Sequence, residues 1–151
     1  MIPREFLVEM VQFIALTLNG VPANLDKLPA LVAVLPPEMA ARICSKEIKD
    51  HDKCTVRAAG IAAAYVREEN TIYYNARIVH PEASGLGRAF IEHELTHWYQ
   101  DVDFSKVSCA QLKEYELQAY RVQDAFMWKE VETKTNFAAK FEEKFTCHDK
   151  N

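Results

Sequence analysis

The chain has 151 residues, enough for one domain with a substantial core and too few for two ordinary ones. Apolar residues make up 49% and charged residues 26%, the balance of a folded globular protein rather than a disordered one. The formal net charge of −4, with no Lys/Arg run, argues against a nucleic-acid partner held through its phosphates, and no apolar stretch approaches the ~20 residues needed to cross a bilayer.

The first residues, Met1 to Phe6, lack the basic-then-apolar layout of a signal peptide. Glu9 and Gln12 interrupt the apolar run that follows. Phe6, Leu7, Met10, Val11, Phe13, Ile14 and Leu18 recur at helical spacing, and Asn19-Gly20 is a natural stop. Leu28 to Val34 reads as a short helix closed by Pro36-Pro37. Pro37 can then sit in the first turn of a further helix through Met39 and Ile43 toward Ile48. Thr55 to Val66 and the β-branched and aromatic Thr71 to Asn75 read as a β-hairpin around the polar turn Arg67-Glu68-Glu69-Asn70. Ala58 to Ala64 has helical propensity, but Gly60 and the clear second strand favour the hairpin.

His80 to Gly87 reads as a loop, and a helix follows from about Leu86 to Asp101. After a polar connection from Asp101 to Val107, Ser108 and Gln111 resemble a capping box that opens a long helix to about Glu132. Asn136 is placed to cap a last helix through Phe137, Phe141 and Phe145. No proline follows Pro81 and no glycine follows Gly87, so the second half should be almost wholly helical. The fold class expected is α+β. It is a mostly helical single domain over residues 1–151, with N-terminal helices in 1–54, a core over about 55–132 and a C-terminal helix over about 136–146. A small β-hairpin or sheet lies beside the central helix.

Four cysteines are present: Cys44, Cys54, Cys109 and Cys147. Cys44 and Cys54 flank a very polar run and Cys147 lies in a charged tail, settings unlike those of ordinary buried thiols. Disulfides Cys44–Cys54 and Cys109–Cys147 are the favoured pairing of three, which favours a periplasmic or secreted location over a cytoplasmic one. Cys44, His51, Cys54 and His148 match no familiar metal-ligand spacing.

The run His93-Glu94-Leu95-Thr96-His97 is the most informative feature. On a helix, residues four apart share a face, so His93 and His97 can both reach one metal ion. Glu94 starts one residue round from His93, within reach of a water at that ion. Two ligands and a base are the minimum equipment of a zinc hydrolase, but a hydrolytic zinc usually takes three protein ligands. Two antiparallel helices joined by a short connection bring a residue about twenty positions on beside the first helix, and there Glu114 and Glu116 are the candidates. No third His follows His97, against the metzincin pattern.

His93-Glu94-Leu95-Thr96-His97 followed by Glu116-Leu117-Gln118-Ala119 resembles the gluzincin metallopeptidases, in particular their small single-domain members. The resemblance covers roughly Ile61 to Gln123. It implies a zincin-like domain in which His93, His97 and Glu116 hold Zn2+, with Glu94 as general base. It also implies a small sheet whose edge strand pairs with a peptide or protein substrate. Glu114 is the alternative third ligand. The chain departs from the pattern at Tyr120, where related enzymes often carry an Asp that supports a ligating histidine. Asp124, Asp101 or a backbone carbonyl are the candidates for that support. The expected activity is that of a small zinc-dependent endopeptidase. The alternatives are a regulatory module that cleaves or binds one partner protein, and a catalytically silent metal-binding scaffold. Trp98, Phe90, Ile91 and Leu95 are expected in the core, and Tyr120 there, orienting a ligand, or stabilising the oxyanion.

Overall fold

The computed structural model of the chain describes residues 2–44 and 60–147. Among them are five α-helices and a three-stranded mixed sheet, an α+β arrangement that is mostly helical. In chain order these are α1 (Arg4–Thr17), β1 (Ala30–Val34), α2 (Pro36–Ile43), β2 (Ala63–Val66), β3 (Thr71–Asn75), α3 (Gly85–Gln100), α4 (Cys109–Val131) and α5 (Phe137–Lys144). Among the described residues no helix is long and apolar enough to cross a membrane.

The amphipathic first helix forms as its spacing requires, burying Leu7, Met10, Val11 and Ile14. These meet Ile91 and Leu95 of α3 and Val122 and Phe126 of α4 in one cluster with Ile72 of β3. Each such side chain contributes about 1.5–3 kcal/mol by leaving water, so this cluster fixes α3 and α4 side by side. Ile91 and Leu95 are fully buried, while Phe90 and Trp98 are half-buried at the margin of the core.

The segment Leu28 to Val34 is not a helix. A short 3-10 turn (Leu25–Lys27) precedes it and Ala30–Val34 is a strand. The reason lies in the two prolines around it. Leu28, before Pro29, is extended at φ −58°, ψ 143°, and Leu35, before Pro36, at φ −87°, ψ 160°. A residue before proline is driven out of the helical region. The stretch left between is too short for a helix but suits a strand, and β3 supplies its partner. β1 pairs with β3 in parallel from Ala30↔Thr71 to Val34↔Asn75. α2 then starts at Pro36, with Glu38 accepting the Leu35 N–H at 3.2 Å. Ile48, to which that helix was expected to reach, and the Thr55 to Ala59 part of the first hairpin strand lie outside the described residues.

The hairpin forms around the expected turn. β2 and β3 pair antiparallel from Ala63↔Tyr74 to Val66↔Thr71, through a 3-10 turn closed by Asn70 in the left-handed region at φ 48°. The sheet order is β1-β3-β2, so β2 is an edge. Ala62 O accepts the Asn75 N–H at 2.8 Å. By antiparallel alternation, Ala63 and Tyr65 therefore turn their own N–H and C=O groups away from β3. That open edge faces α3.

α3 begins at Ser84, whose Oγ accepts the Gly87 N–H at 3.1 Å. A Cβ on Gly87 would lie 3.1 Å from the His80 backbone, so glycine lets the loop press against the first turn. The helix ends at Asp101, left-handed at φ 50°. The capping box that starts α4 is present, with Ser108 Oγ accepting from Gln111 N at 3.1 Å and Gln111 Oε1 from Ser108 N at 2.9 Å.

Cys109 and Cys147 form a disulfide that ties the chain just past α5 to the first residue of α4. Cys44 is also disulfide-bonded. The expected partner Cys54 lies outside the described residues. Asn136 stands at the N-cap of α5 but its side chain does not cap. Asp124 of α4 does so from across the interface, accepting the Phe137 N–H at 2.9 Å and the Ala138 N–H at 3.0 Å. An Asp124→Ala variant should lose about 0.5–2 kcal/mol of stability, as loss of a helix cap does, in denaturant unfolding. Asn136→Ala should lose almost nothing.

Candidate metal centre

α3 and α4 run antiparallel, and their packing brings His93, His97 and Glu116 together. One ligand atom from each lies within 4.8 Å of the others. Glu116 Oε1 is 3.1 Å from His93 Nε2 and 2.8 Å from His97 Nε2. A tetrahedral ion bound at 2.0–2.1 Å holds its ligand atoms about 3.3 Å apart, so Glu116 stands near that spacing from each histidine. Both histidines are 7% exposed and Glu116 is half-buried. Glu114, the alternative ligand, is exposed and outside the cluster.

The supports of the histidines are two glutamines with no mark in the sequence to single them out. His93 Nδ1 meets Gln123 Oε1 at 3.0 Å, and His97 Nδ1 meets Gln100 Oε1 at 2.9 Å. Neither Asp101 nor Asp124 takes this role. Asp101 caps the end of α3 and pairs with Arg67 at 3.3 Å, while Asp124 caps α5.

The orientation of Gln100 carries weight. Its Nε2 donates to the Tyr115 carbonyl at 2.9 Å and to Gln118 Oε1 at 3.0 Å. A main-chain carbonyl can only accept, so the amide cannot turn round and Oε1 is left for His97. His97 must then donate from Nδ1. Its Nε2, if neutral, presents a lone pair to a carboxylate oxygen 2.8 Å away. Two acceptors at that distance need a cation between them, either a proton or a metal ion. The donor set therefore fits a metal ion.

Without metal, the proton fills that place. Burial works against the His97 imidazolium, but the hydrogen bond to Glu116 and the charges of Glu94 and Glu116 outweigh it and raise the group to about 9. Burial likewise pushes Glu116 up, and the hydrogen bonds from His93 and His97 override it, holding the carboxyl well below its usual range. Any metal taken by this triad must displace the His97 proton. Apparent metal affinity should thus rise by roughly tenfold per pH unit through the neutral range, since bound protons compete, and level off near 9. Competition titration with a chromophoric chelator across that range checks this; a flat profile would contradict it.

Glu94 lies beside the triad rather than in it. Its Oε2 is 4.0 Å from His93 Nε2, and its Oε1 accepts the Tyr65 N–H of the sheet edge at 2.9 Å. Burial raises its carboxyl above the usual range, and the neighbouring imidazoles offset this in part. Glu92, about 200° round the helix from Glu94, points into the core. It is fully buried, with no hydrogen-bond partner for either oxygen among the described residues, and burial pushes its carboxyl well up.

Aromatic rings wall the site. Tyr120 sits edge-on to His93 with centroids 4.3 Å apart, and Phe104 edge-on to His97 at 5.1 Å. Tyr120 in turn rests on Phe141 of α5. A cleft of about 660 Å³ runs over the triad between the β2 edge and the residues around Phe104. A side pocket of about 320 Å³ opens beside His93 and Glu94, walled by Ile61, Phe90, Tyr120 and Phe137. No protein-family model, curated protein or solved structure matches the chain.

Proposed function

We propose that the protein is a small zinc-dependent endopeptidase of gluzincin type. The observation that carries this reading is the convergence of His93, His97 and Glu116 on one point, with the Glu94 carboxylate beside it and held by the sheet edge. A zinc ion held by the three residues would supply a Lewis acid that polarises a water and a peptide carbonyl. The protein's own groups account for the rest. Tyr65 N–H fixes Glu94 Oε1, which leaves Oε2 to take the proton from the attacking water and return it to the leaving amine. Burial brings the basicity of that carboxylate nearer to neutral pH, where a general base works best.

Peptide suits the cleft for two reasons. The outward-turned N–H and C=O of Ala63 and the C=O of Tyr65 border it, and an extended chain can pair with such an edge. The pocket beside Glu94 is walled by apolar and aromatic side chains and fits a bulky apolar residue flanking the scissile bond. The test is cleavage of a mixed peptide library by protein reconstituted with zinc, read by mass spectrometry. Expected are metal-dependent cuts, enriched for a bulky apolar residue on one side of the bond. Bound metal at one ion per chain without any cut would replace this reading with the scaffold.

A further inference from the structure

A second, larger groove of about 1020 Å³ lies beyond the sheet turn. Its outer wall is the segment between α1 and β1, and its floor is the end of α3 with Tyr115 and Gln118 of α4. Three side chains from elsewhere pin that wall. Tyr99 donates its hydroxyl to Val21 O at 2.6 Å, Trp98 its Nε1–H to Lys27 O at 3.0 Å, and Asn70 its amide to the same carbonyl at 3.2 Å. The groove is thus a built feature of the fold.

Two observations say what it takes. Tyr65 and Arg67 line both this groove and the cleft over the metal centre, so the two adjoin at the end of β2. A chain lying along the β2 edge leads directly into the groove. The lining also carries no net charge, since Asp26 and Asp101 balance Lys27 and Arg67 and the last pair are joined at 3.3 Å. Such a lining lacks the net positive charge that favours phosphate or nucleic acid. Leu28, Trp98, Tyr99 and Tyr115 instead give broad apolar and aromatic surface of the kind that holds extended polypeptide.

We propose that this groove is an extended binding site for the part of a polypeptide substrate remote from the scissile bond. The proposal rests on the peptidase reading. It makes Gln100 a point of contact between the two regions, because the same side chain lines the groove and holds His97.

The experiment separates the two readings by measuring binding and turnover independently. Fluorescent unstructured peptides of about six and about fourteen residues, roughly 20 and 46 Å when extended, are titrated into zinc-loaded Glu94→Gln protein. The longer pool should bind about tenfold more tightly, a difference of about 1.4 kcal/mol. Val21→Arg, placed at a rim position that is 77% exposed, should bring the longer peptides back to the affinity of the shorter ones without weakening the shorter. Lys27→Glu, in the same wall, should reduce the gain for acidic peptides and spare basic ones. Equal affinity for both lengths, or a gain that survives Val21→Arg, overturns the groove proposal. Cleavage of the short peptides by the parent decides the peptidase reading by itself, and absence of any peptide binding overturns the groove proposal alone.

Discussion

Replacing Glu94 by Gln should lower kcat by about 10²–10⁴-fold, the usual worth of a positioned general base, while leaving metal content unchanged. The two carboxylate oxygens have different tasks. Oε1 accepts the Tyr65 N–H at 2.9 Å, and an amide oxygen can accept it equally well. Oε2 faces His93 Nε2 at 4.0 Å, and there the variant would place an NH2 group that cannot take a proton. The fold loses nothing, because a neutral amide is easier to bury than a charged acid. None of the three converging side chains is touched. Steady-state kinetics beside metal analysis of the same sample gives the answer. A variant with full metal content and the parent's kcat would remove Glu94 from the chemistry.

Glu116→Ala has the second large effect, and it falls on metal binding itself. Glu116 Oε1 is the one oxygen that approaches both imidazoles, at 3.1 and 2.8 Å. Its removal leaves two neutral nitrogens and no anionic ligand. Affinity should fall by more than the roughly 10–100-fold that loss of an outer partner of a ligand costs, and activity should vanish with it. Glu114→Ala, at an exposed position two residues away, should bind metal like the parent and serves as the control. Zinc measured after dialysis against a buffered chelator distinguishes them. Equal retention by Glu116→Ala and the parent would exclude Glu116 as a ligand.

What could be read from the sequence was whatever depends on short range. His93, Glu94 and His97 share one helix, so their spacing alone determines that they share a face. The Ser108–Gln111 capping box and the hairpin turn are equally local. Glu116 could be narrowed to two candidates because an antiparallel helix pair has a predictable reach. The rest depended on contacts between distant elements. β1 was misread as a helix because its partner β3 lies about forty residues on, and parallel pairing leaves no turn signal between the two. The two prolines around it were the available clue. Asn136 was the obvious cap by position, and only the packing of α5 on α4 shows Asp124 taking over. Gln100 and Gln123 were missed since an amide carries no charge to draw attention. Their partners emerge only when α3 and α4 are set side by side.

The choice of an amide at position 100 has a consequence for what this scaffold tolerates. A carboxylate is the commoner companion of a metal-ligating histidine, yet here it would set two acceptors against each other at the Tyr115 carbonyl, which now receives the Gln100 N–H at 2.9 Å. Only a side chain that gives on one side and receives on the other satisfies both neighbours. The joint between two helices and the electronic character of the His97 ring are thus served by one group. The softer, uncharged companion cannot be exchanged for a more strongly electron-donating one without loosening the architecture that carries the site.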